Sequence, residues 1–156
     1  MRTKTIGARL RALAVVSAFV SASACGVLDQ FNPAIDDEMA IIIHYRDTTR
    51  IVVADTVVRG TPFEVVLDTY GGGCTRSTVR TELGVAGRVA LIRPYNRTRS
   101  WPGQGCDAVL LTLRHTKQLR VDTPGSFTIR VIGQQRGFHT DGNSAPAELT
   151  RVITVR

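Results

Sequence analysis

Two cysteines in the middle of the chain, Cys74 and Cys106, form the residue pair with the clearest chemistry. Two thiols either join in a disulfide or bind a metal ion. Neither cysteine has a partner at the short spacing typical of zinc sites, and His44, His115 and His139 are scattered along the chain. The sequence therefore predicts a disulfide, which stabilises a fold by about 3–4 kcal/mol in the chain-entropy model. No metal or other cofactor is expected.

The sequence also lacks the common motifs of catalysis. It contains no Gly-x-Ser-x-Gly elbow and no His-Glu-x-x-His motif. The glycine run 71–73 has no helix after it that would present amide groups to a phosphate, so we interpret it as a flexible or positive-φ turn between strands. We therefore expect a protein that is not an enzyme.

A segment that combines arginine with aromatic residues, 93–104, is the strongest candidate for a binding surface. Tyr95, Arg97 and the only tryptophan, Trp101, lie in a stretch with proline and glycine, which predicts a loop. Aromatic residues and arginines are enriched where proteins bind partners. His139, in a later polar loop, is the fourth candidate binding residue. The alternative is that Trp101 folds back and covers the core.

The N-terminus has the pattern of a secretory signal, with basic residues up to residue 11 and an apolar run over 12–24. The run is too short to span a bilayer. It ends in Ala22-Ser23-Ala24-Cys25, which resembles a bacterial lipobox. The resemblance implies a signal peptide over 1–24 and an acylated Cys25 that anchors the protein to a membrane of the cell envelope, at the outer membrane or the periplasmic face. The alternative is an ordinary signal-peptidase site, which cuts the same bond and gives a secreted protein.

The cysteine count agrees with a lipidated Cys25. The chain has three cysteines, and an odd cysteine in an exported protein needs an explanation. If Cys25 carries the lipid, Cys74 and Cys106 remain as an even pair in an oxidising compartment, where disulfides persist. A bacterial lipobox also makes the sequon Asn96-Arg97-Thr98 an accidental match to a glycosylation site.

The positive charge of the chain is concentrated in the signal segment. The formal net charge is +7, but loss of residues 1–24 leaves 16 basic and 13 acidic side chains, a net charge of +3. Nucleic-acid binding needs clustered basic charge, so we expect no nucleic-acid partner. The polar, turn-like residues 25–38 are interpreted as a tether between the anchor and a single domain over 39–156.

Alternation of apolar and polar residues predicts short strands throughout 39–156. The strands are expected at 39–45, 50–58, 63–69, 75–83, 89–93, 108–114, 127–133 and 149–155. Their predicted inward-facing residues are Phe63, Val65, Leu67, Val109, Leu111, Leu113, Phe127, Ile129 and Val131. No segment has a helical period over a sufficient length. Seven or eight short strands at this spacing predict an all-β domain, an antiparallel β-sandwich.

One short segment resembles the immunoglobulin-like sandwich. The run from Asp122 to Phe127 leads into Thr128 and an alternating strand, much as the tyrosine corner leads into the sixth strand of those domains. Phe127 stands where the corner has tyrosine, so the hydrogen bond of that corner cannot form. The resemblance implies an immunoglobulin-like topology; a jelly roll or another sandwich is the alternative.

In a sandwich of this strand order, the loops that carry the cysteines, Trp101 and His139 fall at one end. A disulfide there would join the two sheets beside the loops and lower the entropy cost of ordering them around a ligand. The sequence thus favours a non-catalytic envelope lipoprotein whose domain is a binding or accessory module for an envelope protein or a glycan. The second hypothesis is a domain that binds carbohydrate or another surface ligand through Trp101 and Tyr95.

Overall fold

The structure, a computed structural model, describes residues 33–45, 47–137 and 144–156. The signal segment, Cys25 and His139 lie outside the described residues. The chain divides into two compact units. The described part of the smaller unit consists of residues 33, 34 and 100–105, and the larger unit contains residues 35–99 and 106–156.

All secondary structure in the described residues is strand, which confirms the predicted all-β class. The eleven strands are β1 Ala34–Met39, β2 Ile41–His44, β3 Asp47–Thr48, β4 Ile51–Val52, β5 Thr56–Val57, β6 Phe63–Gly71, β7 Thr75–Ala86, β8 Val89–Ser100, β9 Leu111–Leu119, β10 Gly125–Arg136 and β11 Ser144–Val155. Strand β1 begins within the segment 25–38 that the sequence predicts as a tether, and it neighbours β8 in the sheet.

Strand β10 is the centre of the larger unit. Along one edge it pairs antiparallel with β11 over its whole length, from Gly125 opposite Val155 to Arg136 opposite Ser144. Along its length it also pairs parallel with β8 and then parallel with β2. The remaining long pairings are antiparallel: β7 with β8, and β6 with β9.

The pairing is therefore mixed, and it differs from the purely antiparallel arrangement of seven or eight strands that the sequence predicts. Among the pairings of the described residues, β10 with β2, β10 with β8, and β11 with β5 run parallel. The strand count is higher because the segment before Phe63 forms five short strands, where the sequence predicts two. Apolar alternation reports which face of a strand is buried, and it carries no information about the direction of the partner strand. An immunoglobulin-like arrangement of the strands stays a prediction.

The core lies on one face of the long strands. On β10, Phe127, Ile129 and Val131 are almost completely buried, while the intervening Arg130 is exposed. Val65 and Leu67 of β6 are equally buried, so the inward face is confirmed for these five residues. The core is completed by residues from β2, β5, β8, β9 and β11, among them Ile42, Val57, Ala90, Ile92, Leu119 and Ile153.

The predicted core residues before and at the start of β9 need a correction. Val109 is 50% exposed, and the strand begins at Leu111 and continues to Leu119 instead of covering 108–114. The amide of Val109 donates a hydrogen bond to the carbonyl of Asp107, which makes a tight turn where the sequence predicts extended chain. Leu111 and Leu113 are half-buried, as is Phe63 opposite the other end of β9.

Candidate functional site

The predicted disulfide is present in the structure. Cys74 and Cys106 are bonded, and their Cα atoms lie 5.2 Å apart, within the normal range of disulfides. Beside it the amide of Gly73 donates to the carbonyl of Asp107 (3.3 Å). A Cβ atom on Gly73 would stand 2.5 Å from that carbonyl oxygen. Gly73 is thus required by the close approach of two chain segments, and none of the glycines 71–73 has the positive φ that is one of the two predicted forms of this turn.

The disulfide lies just before β7 and β9 in the chain. We call the facing edges of these two strands the seam. In the described residues β7 pairs with β8 and β9 pairs with β6, and no ladder joins β7 to β9. Their Cα atoms nevertheless come within 8 Å of each other. Two contacts, Gly73 with Asp107 and Thr81 with His115, advance along both segments together, so the two edges run parallel.

A chain of polar side chains, half-buried at Thr81 and buried at His115, Asn96 and Thr69, crosses the seam. The Oγ1 atom of Thr81 on β7 lies 2.8 Å from Nδ1 of His115 on β9. The Nε2 atom of His115 lies 2.9 Å from Oδ1 of Asn96 on β8, and Nδ2 of Asn96 donates to Oγ1 of Thr69 on β6 (3.1 Å). The hydroxyl of Thr69 donates in turn to the carbonyl of Leu113 (3.1 Å). Four strands are thereby linked through side chains.

The carbonyl of Leu113 fixes the direction of the hydrogen bonds that link Thr69, Asn96 and Nε2 of His115. A carbonyl only accepts, so Thr69 must donate to it, and Thr69 then accepts from the amide nitrogen of Asn96. The amide oxygen of Asn96 therefore faces His115 and accepts from the protonated Nε2. Burial favours the neutral imidazole, in which Nδ1 carries no proton and accepts from the hydroxyl of Thr81. We conclude that His115 is the neutral Nε2–H tautomer.

Burial keeps this imidazole neutral. Thr69, Asn96 and His115 are exposed to 0%, 2% and 4%, and desolvation lowers the pKa of His115 to about 4. The order Thr81, His115 and Asn96 matches that of a catalytic triad, in which a hydroxyl is the nucleophile, a histidine is the base and a third group orients the histidine. With a pKa of about 4, however, His115 is a weak base at neutral pH, and Asn96 brings no charge that would stabilise an imidazolium ion.

Tyr95 and Arg97 occupy a strand, which corrects the loop predicted over 93–104. Strand β8 continues to Ser100, and Pro94 follows directly after Ile92 and Arg93, where the pairing of β8 with β10 ends. The missing amide proton of proline therefore falls where the partner of the strand changes. Only the segment after Ser100, which contains Trp101, lies outside the strands.

Arg97 and Tyr95 both have partners within the protein. Arg97 donates two hydrogen bonds to the carboxylate of Asp37 (2.8 and 3.2 Å), and these bonds lower the pKa of Asp37. The guanidinium carbon of Arg80 lies 3.9 Å from the centre of the Tyr95 ring, and the Tyr95 hydroxyl lies 3.3 Å from Glu82. One face of the Tyr95 ring is thus occupied by Arg80.

Trp101 is 42% exposed and belongs to the smaller unit, where its carbonyl accepts a hydrogen bond from the amide of Gln104. His139 lies outside the described residues, so a shared end for Trp101 and His139 stays a prediction. In the described parts of the chain, no three His, Cys, Asp or Glu residues are grouped in a way that could hold a metal ion. Asn96 of the sequon is buried, so its side chain is closed to modification in the folded protein.

The buried polar chain was missed in the sequence, although a signal for it was present. Thr69 is in phase with Val65 and Leu67 on β6, and His115 is in phase with Leu111 and Leu113 on β9. A polar residue at an inward-facing position of a strand needs a hydrogen-bond partner. Three such positions on three strands, with Asn96 as the third, would have predicted a shared interior contact.

The chain was compared with protein-family models, with curated proteins and with solved structures, and none of the three comparisons found a match.

Proposed function

We propose that this chain is an exported lipoprotein of the cell envelope, anchored through Cys25, whose β-domain is a non-catalytic binding or accessory module. The observation that carries the proposal is the disulfide between Cys74 and Cys106, which leaves Cys25 as the one cysteine without a partner in the chain. A disulfide is typical of an oxidising compartment outside the cytosol. The remaining cysteine is the residue that the lipobox-like sequence Ala22-Ser23-Ala24-Cys25 would acylate.

A non-catalytic role is supported by the state of the Thr81–His115–Asn96 contact. Thr81, His115 and Asn96 are hydrogen-bonded to one another, and burial lowers the pKa of His115 to about 4. A general base works best when its pKa lies near the operating pH. The contact therefore favours a structural role at the seam over a catalytic role.

The anchor is tested by metabolic labelling of the protein in a bacterial host with an alkyne fatty acid, followed by membrane fractionation. We expect label on the wild-type protein and its recovery with membranes. Cys25→Ser should remove the label and release the protein to the soluble fraction. The matched control Cys74→Ser/Cys106→Ser retains Cys25 and should stay labelled. An unlabelled wild-type protein in the soluble fraction would contradict the anchor and favour plain secretion.

Recognition of a carbohydrate or another surface ligand through Trp101 is the second candidate function. It is favoured by the 42% exposure of the Trp101 side chain, because exposed indole rings are common at binding surfaces. Tyr95 is less suited to stacking on a sugar, since Arg80 covers one face of its ring. Binding on a glycan array that is lost in Trp101→Ala and retained in Tyr95→Phe would support this second function.

A further inference from the structure

A cleft of about 470 Å³ lies away from the seam, between the segment around β4 and strand β11. Its walls come from residues 48–53 on one side and from residues 149–151 on the other. Pockets for small organic ligands fall in this range of volume and combine apolar walls with a few polar groups. The cleft has both kinds of wall.

Thr49 contributes a buried hydroxyl that lacks a partner. The residue is 6% exposed, its Oγ1 atom has no hydrogen-bond partner in the described part of the chain, and it lines the cleft. The amide of Thr49 donates to the carbonyl of Ile42 (2.9 Å), so the backbone is held in place. Native proteins rarely leave a buried hydroxyl unsatisfied, because the lost hydration is not recovered. The Oγ1 atom itself is closed to solvent, so a ligand oxygen in the cleft would supply the missing partner once the Thr49 side chain turns toward it.

The charge around the cleft is positive. Arg50 is exposed and makes no ion pair with any residue that the structure describes, whereas Arg151 is paired with Asp55. Two further acids adjoin the lining segments in sequence: Glu148 receives two hydrogen bonds from Arg130, and Asp47 does not line the cleft. Arg50, Arg151 and Asp55 together leave one net positive charge at the walls, carried by Arg50. An unpaired guanidinium is the preferred protein group for carboxylates and phosphates.

The rest of the lining is apolar. Ile51, Val53 and Leu149 are half-buried and pack against the core, and Val52 is 55% exposed. An inorganic anion would leave these side chains uncovered. A ligand with both an anionic group and a short hydrocarbon chain would cover them and also meet Arg50 and Thr49.

We propose that this cleft binds a small organic anion, a carboxylate or a phosphate on a short alkyl or acyl chain. The anionic group pairs with Arg50 and accepts from the hydroxyl of Thr49, whose side chain turns toward the cleft, and the hydrocarbon chain lies on Ile51, Val53 and Leu149. The inference deepens the proposed binding module by giving it a ligand class and a site. It rests on the binding role and is independent of the lipid anchor.

The test is a titration of the ¹⁵N-labelled full chain, with Cys25→Ser to remove the acylation site, by octanoate below its micellar concentration. We expect amide shifts concentrated at 48–53 and 149–151. Acetate has the charge without the chain, and octyl glucoside has the chain without the charge. Both should bind at least about 10-fold more weakly, because each lacks one of the two interactions. Equal binding of octanoate and octyl glucoside, or shifts elsewhere in the chain, would overturn the proposal.

Two variants locate the contacts. Arg50→Gln should weaken octanoate binding about 5- to 10-fold, whereas Arg59→Gln, an exposed arginine outside the cleft, should leave it unchanged. Thr49→Val should raise the unfolding midpoint of the free protein by about 2–5 °C, because it replaces an unpaired buried hydroxyl with a methyl group, and it should weaken binding. A Thr49→Val protein that is less stable and binds octanoate normally would count against the assignment.

A further experiment distinguishes a soluble anion from an anionic lipid as the ligand of the cleft. The same Cys25→Ser chain and its Arg50→Gln variant are floated with phosphatidylcholine vesicles, with and without phosphatidylglycerol. If octanoate binds but phosphatidylglycerol does not increase flotation in an Arg50-dependent way, the ligand is a soluble anion. If phosphatidylglycerol increases flotation of the Cys25→Ser chain but not of its Arg50→Gln variant, the ligand is an anionic lipid. Absence of both refutes the cleft as a site. If Cys25 proves to be unacylated while octanoate binds, the anchor fails and the cleft stands.

Discussion

The neutral state of His115 makes the stability of this protein depend on pH in a window where its other cited groups do not titrate. Histidine has a pKa of about 6.5 in an unfolded chain, and burial lowers the pKa of His115 to about 4 in the fold. Between these two values the unfolded state binds more protons than the folded state. The free energy of unfolding therefore falls as the pH falls from 6.5 to 4, and the loss is complete below 4.

The size of the effect follows from the two pKa values. A shift from 6.5 to about 4 corresponds to about 3 kcal/mol when the whole window is crossed, and to about 2 kcal/mol at pH 5. The carboxylates of Asp37, Asp68 and Glu148 have lowered pKa values because arginines donate hydrogen bonds to them. Their stabilisation is present above the unfolded pKa of about 4 and is lost only below it, so the range from pH 7 to pH 5 isolates histidine.

The assay is urea unfolding of the full-length protein at pH 7, 6 and 5, followed by far-ultraviolet circular dichroism. The wild type should lose about 2 kcal/mol between pH 7 and pH 5, and His115→Gln should lose less than about 0.5 kcal/mol. His44 and His139 are present in both proteins, so the difference between the two slopes reports His115 alone. If the variant does not fold, an NMR titration of the wild-type imidazole gives the same answer. Equal slopes, or an NMR pKa near 6.5, would refute a buried neutral His115.

Two other predictions concern stability. Phe127→Ala should lower the free energy of unfolding by about 3–5 kcal/mol, because Phe127 is 1% exposed. The control Val152→Ala, on the paired strand β11 at 56% exposure, should lower it by less than about 1 kcal/mol. Similar losses for the two variants in urea unfolding would mean that the face of β10 is assigned wrongly. Cys74→Ser/Cys106→Ser should lower the free energy of unfolding by about 3–4 kcal/mol relative to the wild type under non-reducing conditions. If the variant is still less stable than a wild type whose disulfide has been reduced, the disulfide is not the origin of the loss.

Strand positions and their buried faces were largely predictable from the sequence. Phe127, Ile129 and Val131 alternate with polar residues on β10, and Val65 and Leu67 do so on β6, so period-two patterning identifies the inward face. The prediction was wrong at Val109, where a turn closed by local hydrogen bonding and the nearby disulfide replaces the strand. Alternation alone cannot distinguish a strand from a short apolar turn.

The pairing of the strands was beyond the reach of such patterns. β8 and β2 both pair parallel with β10, although each is far from β10 in sequence. That choice depends on which strands cover which part of the core, and it is made by long-range contacts. The same holds for Arg97, whose partner Asp37 lies 60 residues away in a segment that was predicted to be a tether.

The buried polar chain answers a structural need that the seam creates. In an ordinary sheet, backbone hydrogen bonds fix which residue lies opposite which, and a slip by one residue would turn every side chain to the other face. Between β7 and β9 the described structure has no such ladder, and apolar packing is not directional. The disulfide fixes the register at one end of the seam. The hydrogen bond from Thr81 to His115 fixes it again further along β7 and β9, since this bond forms only with these two residues in place. The bonds of His115 to Asn96 and of Asn96 to Thr69 hold the imidazole at the one angle at which Nδ1 faces Thr81. A polar interior therefore does at this seam what a ladder does elsewhere in the sheet.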